Sequence, residues 1–220
     1  RIVKVIRHTE RAVPLEHRLY ESGQGFTTRQ QLTRRYKRYA RRLGVMDSGR
    51  IAGDFPSTTH LQLMDELTKE HLPCLFFAFS RRRCEEHAKQ LAERFDYLDA
   101  EQKRRVKEVI EEQVARHAGT GVNRLRQLEP LLLRGIGFHH AGLLPVAKDI
   151  VEELFEQKLT YVLYCTETFA VGLNFPCKTV CFDSMTKWDG TEFRALSNRE
   201  YFQIAGRAGR RGIDDKGYVF

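Results

Sequence analysis

The chain has 220 residues, 41% of them apolar and 30% charged, a balance that builds one sizeable core and makes a folded domain rather than a disordered chain the expectation. Its net charge of +8 points to a polyanionic partner, because Lys and Arg neutralise phosphates and release condensed counterions, although solubility and membrane-surface binding share that signal. The longest apolar runs, 75–79 and 161–164, are far shorter than the roughly 20 residues that cross a bilayer, so no membrane span is expected.

The first residue is Arg1 rather than Met and no apolar signal core follows, so the sequence is expected to be one piece of a longer chain. Residues 1–6 alternate and are β-branched, and 12–15 form a short stretch interrupted by Pro14; both read as entry strands within 1–26. A helix is expected over 28–43, stopped by Gly44, with Arg29, Arg34, Arg35, Lys37, Arg38, Arg41 and Arg42 as a solvated face; Tyr36 and Tyr39 are read as facing a core, with a base-stacking strip as the alternative. After a loop at 53–59, helical spacing covers 60–71, and Pro73 introduces an apolar run over 74–79 of the kind found in buried parallel strands. Helices are expected over 82–95, over the charged and mainly exposed 101–117, and over 122–133, with a break at 119–121. A short strand at 135–138, a helix entered at Pro145 and covering 146–157, and strands at 159–165, 178–182 and 217–220 follow. Ser197 and Glu200 have capping-box spacing for a helix over 198–208.

Strands alternating with helices imply an α/β domain with a mostly parallel sheet, flanked by helices and interrupted by a charged helical insertion at about 97–130. Ligands of such sheets gather at the carboxyl ends of strands, here the segments around Ser80, Gly142 and Thr166. Five cysteines make an odd set; Cys74 and Cys165 sit in apolar runs, and Cys177 and Cys181 have no second pair or nearby His to complete a zinc site. No disulfide framework and no metal is expected, which suits a reducing, intracellular (cytoplasmic or nuclear) setting.

The strongest chemical signal is Gln203-Ile204-Ala205-Gly206-Arg207-Ala208-Gly209-Arg210-Arg211-Gly212. On a continuous helix Gln203, Arg207 and Arg210 share one face, a cationic fork suited to charge on a transferring phosphoryl group, while Gly206 and Gly209 permit close approach of another surface. Alone, the same pattern also suits a Gly/Arg nucleic-acid-binding segment.

This stretch resembles motif VI of superfamily 2 helicases, whose form is Gln-x-x-Gly-Arg-x-Gly-Arg. Thr166-Glu167-Thr168-Phe169-Ala170-Val171-Gly172-Leu173-Asn174-Phe175-Pro176 resembles motif V, and Phe77-Ala78-Phe79-Ser80-Arg81-Arg82 resembles motif IV. Phe138-His139-His140-Ala141-Gly142-Leu143-Leu144-Pro145 and Arg11-Ala12-Val13-Pro14-Leu15-Glu16-His17 resemble segments of the superkiller-like DExH-box RNA helicases.

The resemblance implies the second RecA-like lobe of a two-lobed motor spanning residues 1–220. It implies Arg207 and Arg210 as arginine fingers and Gln203 facing the γ-phosphate and water, with Gly172, Asn174 and Gly206 beside the nucleotide. It further implies Ser80, Arg81, His139, His140, Gly142, Thr166 and Thr168 on a single strand, RNA favoured over DNA. ATP and Mg2+ would be held mainly by an N-terminal lobe of the same parent chain, since no Gly-x-x-x-x-Gly-Lys-Ser/Thr loop occurs here. Asn174 stands where many DEAD-box relatives carry Asp, which weakens transfer of that carboxylate's role. Met64-Asp65-Glu66-Leu67 superficially resembles a DExH box but reads as ordinary helix. Two alternatives stand beside this reading: the lobe of a DNA-directed repair helicase, and a stand-alone binding module built on the basic helix.

Overall fold

The computed structural model describes residues 11–43, 58–117, 125, 127–172, 175 and 177–220, with backbone alone for 39–43 and 170–172. Among the described residues the first elements are β1 (Leu15–His17), β2 (Leu19–Glu21), β3 (Gly25–Thr27) and helix α1 (Arg29–Leu43). Then come α2 (His60–Glu66), β4 (Cys74–Phe77), α3 (Arg81–Arg94), α4 (Ala100–Arg116) and the single turn α5 (Glu129–Leu132). The second half runs β5 (Ile136–His139), α6 (Pro145–Glu156), β6 (Val162–Cys165), α7 (Glu167–Gly172) and β7 (Thr179–Phe182). It ends with β8 (Thr186–Trp188), β9 (Phe193–Ala195), α8 (Asn198–Ala205) and β10 (Gly217–Val219).

Six strands form one parallel sheet in the order β1-β10-β7-β4-β6-β5. Every residue of β4, β5 and β6 is buried, as expected where helices cover both faces of a parallel sheet. Side chains such as Leu75, Phe76, Ile136, Leu163 and Val180 are at most 2% exposed, and each contributes about 1.5–3 kcal/mol of transfer free energy to the folded state. Helix α3 lies over β5 and β6, α6 packs on β5, and α4 packs outside α6.

The expected α/β architecture is therefore present, with local corrections. Pro14 delays β1 to Leu15, because proline has no N–H for the ladder and its carbonyl instead accepts from Gly217. The 60–71 stretch splits into α2, opened by a Thr59/Gln62 capping box, and a separate 3-10 turn at Lys69–His71. Asp65 and Glu66 lie on α2, as expected. Helix α4 is less exposed than its charge suggests: Val106, Val109, Ile110 and Gln113 are buried, and Gln113 donates to Glu153 of α6. The β8–β9 ribbon was not anticipated, although Asp189-Gly190 between aromatic residues is a hairpin signal. Expectations for 1–6, Gly44, most of the 53–59 loop, the break at 119–121, Asn174 and the Tyr39, Arg41 and Arg42 side chains fall outside what is described.

Candidate functional site

The polar ends of β4, β5 and β6 meet on the carboxyl edge of the sheet. Backbone bonds lace them together: Ala78 N–H donates to Cys165 at 3.0 Å, and Thr166 N–H to His139 at 3.2 Å. Ser80, in extended conformation (φ −149°, ψ 128°), caps α3 by accepting from the Arg83 amide at 3.4 Å. That places the first amides and positive dipole end of a 14-residue helix on this edge, a geometry suited to phosphate. Arg81 begins the helix, is exposed, and makes no ion pair among the described residues; its guanidinium lies against Gly142. Thr166 and Thr168 share a hydroxyl contact of 2.9 Å at the start of α7, with Thr166 buried and Thr168 exposed. Motif IV, the β5 loop and motif V thus form one polar surface that no single sequence segment contains.

The two histidines turn inward. His139 and His140 are 5% and 4% exposed, with Nε2 2.8 Å from Glu152 Oε1 and 3.1 Å from Glu85 Oε1 respectively. His140 Nδ1 also accepts from the Gly142 amide at 3.2 Å, so it carries its proton on Nε2 and shapes the loop. Burial pushes His139 down to about 4, so its contact with Glu152 is a hydrogen bond from a neutral imidazole rather than an ion pair. Both rings, which the resemblance placed on a strand, are engaged inside the protein by Glu152 and Glu85.

Motif VI lies at the opposite, amino edge. Helix α8, opened by the Ser197/Glu200 capping box, stops at Ala205 rather than near 208. Gly206 closes it with right-handed geometry (φ −59°), and a Cβ there would meet the helix's own Phe202 carbonyl at 2.7 Å rather than another surface. Ala208 bridges in parallel to Cys177 just before β7, and the Gly209 amide donates to the Cys177 carbonyl at 2.7 Å. Gly209 has φ +83°, and a Cβ there would stand 2.6 Å from Val13 Cγ1, so glycine is required by conformation and by crowding. Gln203, Arg207 and Arg210 consequently do not share a helix face, because the chain leaves the helix before Arg207. Gln203 remains exposed on α8, Arg207 is half-buried, and Arg210 is redirected by the Gly209 turn.

Arg210 is held by Asp214. Its Nε donates to Oδ2 and its Nη2 to Oδ1, both at 2.8 Å, and its own amide also donates to Oδ2 at 2.8 Å. Lys178 Nζ lies 3.4 Å from Oδ1. The Arg210 guanidinium and amide hold the Asp214 carboxyl down at about 2 against the opposing effect of burial, and Asp214 in turn raises Arg210. Arg210 opens on a cavity of about 510 Å³ lined also by Phe155, Phe175, Lys158 and Arg211. Gly172 is the last residue of α7.

Several side chains shape the site without being marked as site residues by the motifs. Arg11 reaches from the entry segment to donate to the carbonyls of Gly206 (2.9 Å) and Ala208, tying the motif VI turn to the chain ahead of β1. Asp214 was legible in principle as an acid four residues after Arg210. Glu85, Glu152 and Lys178 gave no such local signal. The basic helix α1 is largely exposed over its described side chains, with Tyr36 half-buried and Arg35 paired to Glu21. The five cysteines are buried and free, and among the described residues no helix is long and apolar enough to cross a membrane.

A six-stranded parallel sheet flanked by helices, with these motifs distributed over its two edges, defines a RecA-like helicase domain. The family model of the helicase conserved C-terminal domain matches residues 120–212. The ATP-dependent RNA helicase mtr4 of Schizosaccharomyces pombe is 40% identical over 178 residues, covering 80% of this chain and 16% of that protein. Superkiller complex protein 2 of Homo sapiens is 37% identical over 245 aligned positions, covering 100% of this chain and 20% of its own length. The ATP-dependent RNA helicase DExH10 of Arabidopsis thaliana is 45% identical over 147 residues, 66% of this chain and 15% of its own. The chain belongs to the superkiller-like DExH-box helicases of superfamily 2, as their C-terminal RecA-like domain. It spans a fifth or less of the length of these relatives.

Proposed function

We propose that this domain is the second motor lobe of an ATP-dependent RNA helicase, working across a cleft from an N-terminal RecA-like lobe of the same parent chain. The observation that carries the reading is the division of labour between the two sheet edges. A polar edge with a helix N-terminus, exposed Arg81, Gly142 and Thr168 suits phosphate oxygens of a single strand. The opposite edge offers Arg210 on a cavity, with Arg207 in the same turn.

In this reading ATP is the substrate, and Mg2+ would be held mainly by the partner lobe, where it would neutralise charge on the phosphates. Arg207 and Arg210 stabilise the negative charge that builds on the transferring phosphoryl group, and Gln203 orients the attacking water. Because nucleotide and strand contact opposite edges of one rigid sheet, lobe closure on ATP moves the strand-holding edge as a body. Backbone contacts dominate, so RNA is favoured over DNA on the strength of the relatives named above rather than of any residue that recognises a 2′-OH.

The test is ATP turnover by the full-length protein, wild type and Arg210→Ala, with single-stranded RNA, with single-stranded DNA and with neither. Loss of turnover with retained RNA binding, together with preferential stimulation by RNA, is expected. Turnover indifferent to Arg210 removes the finger assignment, and stimulation by DNA alone replaces the track with that of a repair helicase.

A further inference from the structure

We propose that Asp214 is a positioning residue for the finger arginine: it grips the Nε/Nη2 edge of Arg210 from behind and presents the Nη1 edge to the nucleotide. This rests on the reading of Arg210 given above. A guanidinium has five N–H donors in a fixed plane and can serve two anions at once from different edges. Asp214 takes the side-on edge through Nε and Nη2, both at 2.8 Å, and among the described residues Nη1 has no hydrogen-bond partner.

The carboxylate is itself fixed. Its side chain is 5% exposed, Oδ2 accepts the Arg210 amide at 2.8 Å, and Oδ1 lies 3.4 Å from Lys178 Nζ. The intervening turn is closed by the Asp214 amide donating to the Arg210 carbonyl at 2.9 Å and carries Gly212 at φ +76°. Arg210 is therefore aimed before any nucleotide arrives, which removes the rotamer freedom of a long side chain from the transition state's cost. Lys178 and Arg210 share this one carboxylate, so two cations meet one anion in the cluster.

A carboxylate that merely competed with phosphate would have the opposite effect, since its removal would free the arginine and raise the rate. The experiment is a cycle in the full-length protein: Asp214→Asn and Asp214→Glu, each with Arg210 intact and with Arg210→Ala, measuring RNA-stimulated ATP hydrolysis at a temperature where melting curves show every variant folded. With Arg210 present, Asp214→Asn is expected to lower kcat roughly tenfold or more while KM for ATP moves little, the pattern of an interaction made in the transition state. Asp214→Glu, which keeps the charge, is expected to recover part of that loss. In the Arg210→Ala background neither substitution should change the residual rate.

Equal loss in both backgrounds overturns the proposal, because Asp214 would then act through something other than Arg210. An unchanged or raised kcat in Asp214→Asn overturns it too. If Arg210→Ala alone leaves turnover intact, it is the finger reading that fails, an outcome separable from the failure of Asp214.

Discussion

Arg81 lays its guanidinium against Gly142 so closely that a Cβ at position 142 would stand 3.3 Å from Arg81 Nη1 and 3.2 Å from His140 Nδ1. Only one of these neighbours can move, since His140 is buried and held by Glu85, whereas Arg81 is exposed. Gly142→Ala is therefore expected to fold and to push Arg81 aside, weakening single-strand binding by about two- to tenfold, the scale of one phosphate contact. Equilibrium binding of the full-length variant to a fluorescent oligonucleotide, with a melting curve beside it, checks this. Unchanged affinity would mean that this edge does not meet the strand.

Arg81→Ala removes one cation from the same edge. The slope of log affinity against log salt should become shallower by about 0.7, the value for one phosphate of a single strand. A parallel displacement of the two lines would place the Arg81 contribution outside the phosphate contacts.

Gly209→Ala should be among the most destabilising single changes in the domain. The left-handed φ of +83° disfavours any side chain, and the added methyl would meet Val13 Cγ1 at 2.6 Å. A loss of about 2–4 kcal/mol is expected in urea unfolding, from strain plus overlap. Adding Val13→Ala should relieve the overlap and leave the conformational part, so a strictly additive double mutant would contradict this account.

Acid should weaken the fold through two buried histidines. Burial is the main cause that pushes His60 and His139 down to about 4, well below the ordinary 6.5. Their folded-state pKa values lie below the unfolded ones, so the unfolded chain binds more protons between those limits. The stabilisation is complete above about pH 6.5 and is lost as pH falls towards 4. His60 is held neutral between Tyr164 Oη and Gln90 Oε1, each at 2.8 Å, which leaves little room for solvent to rescue a charge. Urea midpoints measured from pH 7.5 to 4.5 should fall steadily below pH 6.5; a flat profile there would falsify the burial argument.

On the proposed two-lobe reading, the 220-residue chain by itself is expected to hydrolyse no ATP, because its arginines would act on a nucleotide held by another lobe. Magnesium-dependent turnover by the purified domain, abolished by Arg210→Ala, would contradict the two-lobe reading.

The motifs and the alternation of strands and helices were legible in the sequence because they rest on local chemistry. Cys74–Phe77 is apolar throughout, as a strand buried on both faces must be, and Ser197 with Glu200 carries its own helix start. The motif V and VI residues announced themselves by type and spacing. What the sequence could not decide was direction and partnership. Whether Arg207 and Arg210 share a helix face with Gln203 depends on where α8 stops, and that is settled by the docking of Ala208 and Gly209 against Cys177, 31 and 32 residues away along the chain. Likewise adjacent His139 and His140 do not reveal from sequence which way they face, and it is Glu152 on α6 and Glu85 on α3 that draw both rings inward. Side-chain type is a property of the chain, whereas the partner that satisfies a buried polar group is chosen by packing, so only the tertiary structure separates the arginine that faces a cavity from the histidines that brace the loop beside Arg81.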